Sequence, residues 1–233
     1  MPYLLYFLFG VLPSLIWLAF YLRKDAHPES NRMILKIFFY GMLIALPAIF
    51  LELGILSILK DFNIPFIVYI FLGIALTEES LKYLVIHEKV LSNPEFDEPV
   101  DAILYMIIAA LGFAAAENIL ILSGLGNSPL LEEIFAISAL RFVGATFLHA
   151  LVSGIVGYFL ALSFFDPEGQ VYGAKNKKRL VFWGLLIAIF LHGLYNLSII
   201  EIVGPQRFII PIAILSFSAI FISSGFKKLK RNI

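Results

Sequence analysis

The chain contains no cysteine. Disulfides, thiol nucleophiles and thiolate metal ligands are therefore excluded, and any metal site must be built from histidine and carboxylate. Charge is scarce as well: Asp, Glu, Lys and Arg make up 15% of the 233 residues, against about 25% in an ordinary globular chain. The 17 basic and 17 acidic residues cancel, so there is no basic field of the kind that attracts nucleic acid. Histidine occurs at four positions, and no His-Glu-x-x-His string is formed by any of them.

Apolar side chains are in excess, at 61% of residues. They gather in runs of roughly 20 with almost no charge, the length that crosses a hydrocarbon core about 30 Å thick. The pattern predicts an all-α, polytopic transmembrane helix bundle of about seven spans, near 3–22, 33–58, 65–87, 99–123, 131–164, 180–202 and 207–226. The fifth is long enough to tilt strongly, or to divide into an interfacial helix and a span, which would make eight. With seven, the clusters Arg23, Lys24, Arg32 and Lys36; Lys89; Lys175, Lys177, Lys178 and Arg179; and Lys227, Lys228, Lys230 and Arg231 all fall on one side. The positive-inside rule makes that side cytoplasmic, with the N-terminus outside and the C-terminus in the cytoplasm. No linker is long enough to separate domains, so residues 1–233 are read as one domain, multi-pass in the cell membrane.

Against this background the charges inside spans stand out. A charged residue at a span centre costs about 2.5–3.5 kcal/mol on insertion scales. Glu78, Glu79, Lys82, Glu117 and Arg141 all lie within or near spans, so they are expected to face the bundle interior and pair with one another. Glu78 and Glu79 differ by about 100° around a helix. Lys82 stands four residues from the first and three from the second, within reach of either. One carboxylate held by Lys82 leaves the other for general acid/base work; the alternative is a charge-neutralised helix that merely lines the bundle.

His27 and His87 read as loop and interface residues, and Glu52 and Glu201 as interfacial or structural. His149 and His192 fall near the middle of spans, and His192 shares a helix face with Asn196. Glu117 follows the small-residue run Gly112-Phe113-Ala114-Ala115-Ala116, which lets neighbouring helices approach closely. A count along span four places Glu117 nearer the outer face than the two histidines. Arg141 is a counter-ion for Glu117 or Glu52, with nothing in the sequence to choose between them.

Taken in order, Glu78-Glu79-x-x-Lys82, Phe113-x-x-x-Glu117-Asn118, His149 and His192-x-x-x-Asn196 resemble the motifs of the PrsW family of intramembrane proteases. That family is more distantly related to the type II CAAX prenyl endopeptidases and the bacteriocin-immunity membrane proteins. Those relatives carry Glu-Glu-x-x-x-Arg and a Phe-x-x-x-His. Here the basic residue comes one position earlier, and Glu117 stands where they have histidine. The resemblance implies an endopeptidase that cleaves membrane-anchored proteins inside the bilayer.

Two mechanisms are compatible with these residues. In one, Glu117, His149 and His192 bind Zn²⁺ with water in the fourth position, the usual catalytic zinc arrangement, and Glu78 or Glu79 is the base. In the other there is no metal; Glu78 and a histidine activate water, and His192 with Asn196 stabilises the oxyanion. Two readings outside proteolysis compete. One is a proton-coupled transporter, against which stands the absence of an inverted repeat. The other is a scaffold or immunity-type protein without chemistry.

Overall fold

The computed structural model describes residues 2–25, 27–126, 130–165 and 174–230. Residues 166–173 of the polar loop, the side chain of Lys175, and Arg231 of the last basic cluster lie outside the described residues. The described residues contain helices and no strand. These are α1 (Pro2–Leu22), α2 (Asn31–Asp61), α3 (Phe66–Val68), a π-helical segment (Tyr69–Ala75), α4 (Leu76–Lys89), α5 (Pro99–Ser123), α6 (Leu131–Val143), α7 (Ala145–Phe164), α8 (Ala174–Glu201), a 3₁₀ turn (Pro205–Phe208) and α9 (Ile209–Lys230).

α5 is the axis of the bundle. Pro99 opens it at a position where the missing N–H has no partner to lose. Asp101 caps it, its Oδ2 accepting from the backbone N–H of Asp97 at 3.1 Å and Glu98 at 2.7 Å. Every residue from Val100 to Ala115 is buried, as befits a helix that is apolar all round. It packs on α1, α2 and α7. Where α2 crosses it, Gly41 lies on the Ala109 carbonyl and Gly112 on that of Phe38, so a β-carbon at either would strike the other helix's backbone.

α2 buries Met33, Ile34, Ile37, Phe38, Gly41, Ala45 and Ala48 at helical spacing. Its opposite face is equally apolar and exposed, with Phe50 at 75%. A surface of that kind is solvated by lipid, not water. Among the described residues six segments, one of them the combined α6–α7 run Leu131–Phe164, are long and apolar enough to cross a membrane. The run from Phe66 to Lys89 is not among them; the π-helical segment divides it, and it carries Glu78, Glu79 and Lys82.

The span predicted over 131–164 is broken at Gly144, whose φ of −104° and ψ of −98° are not helical. The Tyr195 hydroxyl packs against Gly144 where a β-carbon would collide with it, so glycine is the residue that fits the break. Contacts define the two ends of the bundle. At one end the Tyr6 hydroxyl donates to the Gly126 carbonyl, and Ile134 of α6 joins Tyr6 and Leu122 in one cluster. At the other, His27 meets Glu98, Phe96 meets Phe164, Lys177 lies over Phe164, and Tyr21 meets Phe226. Arg23, Lys24, Lys89, Lys177 and Lys227 all gather at this second end.

Candidate active site

The site residues expected from the sequence converge from α4, α5, α7 and α8. A π-helical segment inserts an extra residue in a turn and rotates the rest of the helix relative to it. Here it directly precedes α4, whose buried set includes Glu78, Glu79 and Lys82. α4 contacts α2, α5, α7 and α8, so two carboxylates about 100° apart can both be enclosed, each against different neighbours.

Lys82 is fully buried and sits at the centre. Its Nζ donates to Glu78 Oε2 at 3.1 Å, to Glu79 Oε1 at 2.7 Å and to His149 Nδ1 at 2.8 Å. It also lies 4.4 Å from the Phe113 ring centroid. An ammonium has three protons to donate, and all three are used. Because His149 Nδ1 accepts, the proton of the neutral ring is on Nε2, which lies 2.9 Å from Glu117 Oε2.

The two adjacent glutamates differ in what remains free. Glu79 is wholly enclosed. Its Oε1 takes a second bond from His192 Nδ1 at 2.9 Å, and its Oε2 accepts from the Ser153 hydroxyl at 2.9 Å. This fixes the His192 tautomer and leaves Nε2 free to act as a lone-pair donor. Glu78 has one engaged oxygen, Oε2, and its side chain lines a cavity.

The cavity has a volume of about 640 Å³. Its polar wall carries Glu78, Glu117, Arg141, His149, His192 and Asn196, together with Glu52 and Arg207. Its apolar wall includes Leu140 and Val143 of α6 and Ile212 of α9. These three are also 65%, 56% and 61% exposed on the bundle surface, so the cavity opens sideways, where lipid would be.

Arg141 pairs with Glu117, its Nη2 2.8 Å from Oε2, and its Nε donates to the Asn118 side-chain oxygen. Asn118 in turn donates to Thr146 Oγ1 at 3.0 Å and to the Gly10 carbonyl at 3.2 Å. The choice the sequence left open is thus settled for Glu117. The depth count that put Glu117 apart from the histidines is corrected too. α7 starts afresh at Ala145, so His149 stands near the beginning of its helix, level with Glu117.

Glu78, Glu79, Glu117, His149, His192 and Asn196 therefore meet at one place. Sequence reasoning missed Ser153, although its spacing of four from His149 put it on the same face of α7. It also missed Asn118 and Thr146 as supports for Arg141.

Ligand-type atoms of Glu78, Glu79, His149 and His192 lie within 4.8 Å of one another. Glu117 is outside that group but touches His149 Nε2. Three carboxylates, from Glu78, Glu79 and Glu117, face two cations, Lys82 and Arg141. The surplus negative charge, with nitrogen and oxygen donors and a free His192 Nε2, suits a divalent metal ion.

A family model described as PrsW family intramembrane metalloprotease matches residues 29–223, which include every residue of this site. Among curated proteins, the Protease PrsW of Geobacillus kaustophilus is 32% identical over 190 residues, covering 80% of this chain and 76% of that protein. That of Oceanobacillus iheyensis is 33% identical over 189 residues, covering 80% and 79%. That of Bacillus subtilis is 31% identical over 191 residues, again covering 80% and 79%. No solved structure matches.

Proposed function

The chain belongs to the PrsW family of intramembrane metalloproteases, and on that premise we propose that it hydrolyses peptide bonds of membrane-anchored proteins in the cavity between α4, α7 and α8, with Glu78 as general base. The observation that carries this assignment is the division of labour between neighbours: Glu79 has both oxygens occupied by Lys82, His192 and Ser153, whereas Glu78 keeps one oxygen unengaged beside the cavity.

In this reading Glu78 takes a proton from a water placed against it, and the hydroxide attacks the scissile carbonyl. The Asn196 amide donates a hydrogen bond to the oxyanion. Glu78 then passes its proton to the departing amine, the C–N bond breaks, and a carboxylic acid and an amine result. Glu79 and Ser153 orient His192, and Lys82 holds Glu78 and His149 in place.

Zinc would be held by His192 through its free Nε2, by His149 through Nε2 once that nitrogen gives up its proton, and by Glu117, and would supply Lewis-acid polarisation of the carbonyl and of water. The sideways mouth between α6 and α9 suits a substrate that arrives within the bilayer, such as a single-pass protein. The basic end of the bundle is read as the cytoplasmic end by the positive-inside rule, with the N-terminus outside; the membrane proposed is the cell membrane. The test is cleavage of single-pass reporters by the purified chain in vesicles. Glu78→Gln should leave reporters intact with an unchanged melting temperature; cleavage at the native rate would refute the assignment.

A further inference from the structure

A second cavity, of about 350 Å³, lies between α1 and α9 at the basic end of the bundle, away from the catalytic cavity. Its wall is aromatic, formed by Trp17, Phe20 and Phe226, and three lysines stand around it: Lys24, Lys227 and Lys230. All three are exposed. Lys24 rests over the Phe20 ring at 4.8 Å, and none of the three pairs with a carboxylate among the described residues. An apolar slot closed at one end by three unneutralised ammonium groups matches one chemistry: an amphiphile with an acyl chain and an anionic phosphate head. We propose that this groove is a binding site for an anionic phospholipid, the chain lying along Trp17 and Phe226 and the phosphate among the three lysines. Zwitterionic lipids fit it less well because their own cation competes for the phosphate.

Trp17 makes the groove observable. The chain has two tryptophans, so a Trp183→Phe chain carries one reporter, set in the groove wall. In vesicles, phosphatidylglycerol with brominated acyl chains should quench Trp17 at a severalfold lower mole fraction than brominated phosphatidylcholine. K24Q/K227Q/K230Q should abolish the preference, and Lys227→Gln alone should reduce it part way. K178Q/R179Q, which removes two charges from the start of α8 outside the groove, should leave it intact. Equal quenching by the two lipids in the Trp183→Phe chain overturns the proposal. So does a preference that survives loss of the three lysines, or one lost equally with Lys178 and Arg179. Soluble glycerol phosphate that relieves the quenching at a concentration equal to the lipid's would show that the acyl chain adds nothing, assign the lysines to a free anion and overturn it as well.

Discussion

Lys82 Nζ lies 2.8 Å from His149 Nδ1, an ammonium donating to an imidazole across 67 residues of sequence. That bond determines which nitrogen of His149 carries the proton, and so which partner it can serve. The donor capacity of Lys82 is exhausted by His149, Glu78 and Glu79. Removing it strips three buried acceptors at once.

Lys82→Met should therefore destabilise the fold more than a surface change, by about 3–5 kcal/mol, the usual cost of leaving buried charge uncompensated. Unfolding in mixed detergent measures it. Adding Glu79→Gln, which removes one of the stranded charges, should recover part of the loss. If the double variant is no more stable than Lys82→Met, the charge balance assigned to Lys82 is wrong.

The two glutamates should separate in kinetics. Glu78→Gln removes the base and should lower kcat about 10²–10⁴-fold. Glu79→Gln keeps a hydrogen-bonding oxygen for His192 or for Ser153 but loses the charge. Its loss should appear partly as a weaker grip on His192, seen as a shifted ring signal in NMR of labelled histidine. Identical histidine spectra in Glu79→Gln and the unmodified chain would argue against its orienting role.

Metal content tests the ligand set directly. His192→Ala should lose both metal and activity, and a chelator should inhibit the unmodified chain, with zinc restoring it. Glu117→Gln should lose stoichiometric metal, whereas Glu78→Gln, which removes the base, should keep it. Active enzyme that carries no transition metal and ignores chelators would remove zinc from the mechanism and leave the metal-free reading, in which Glu78 and a histidine activate water.

Asn196→Ala should keep the metal and the fold. Its rate should fall about 10²–10³-fold, as expected for loss of one donor to a transition-state oxyanion. A change confined to KM would place Asn196 in substrate binding instead.

Outside the spans, Glu29 sits in the loop before α2 and accepts from the Tyr105 hydroxyl at 2.5 Å. Burial, with the Asp101 charge adding to it, pushes its carboxyl up to about 8 from an ordinary 4.5, against the opposing pull of the Tyr105 bond. The folded state thus holds a proton that the unfolded chain releases. This contribution is present in full below about 4.5 and is lost as pH rises through about 8. Melting temperature followed across that window should decline, and Glu29→Gln, which needs no proton, should flatten the decline. An unchanged pH profile in Glu29→Gln would remove this residue as the cause.

Much of the bundle could be read from the sequence because the signal was long. Runs of about 20 apolar residues admit one interpretation, and Glu78, Glu79 and Lys82 announced themselves by their cost in lipid. What escaped was local backbone geometry. Nothing in Tyr69–Ala75 distinguishes a π-helical turn from an α-helical one by composition. The break at Gly144 depends on the Tyr195 side chain, which comes from another helix. The partner of Arg141 was equally hidden, since it depends on how α6 packs beside α5. The different roles of Glu78 and Glu79 rest on Ser153 and His192, groups far along the chain, so neighbours in sequence had to look equivalent.

The bond between Glu79 and His192 spans 113 residues, and it closes a network whose members arrive in order on α4, α5, α7 and α8. During synthesis the first helices enter the bilayer while the chain still lacks α8. At that stage Glu79 can meet Lys82, and later Ser153, but the imidazole opposite has not yet been made. The centre cannot be complete before α8 has been made, so the nascent chain enters the membrane without one. The site is complete only once α8 has docked and α9 has closed the cavity wall with Ile212.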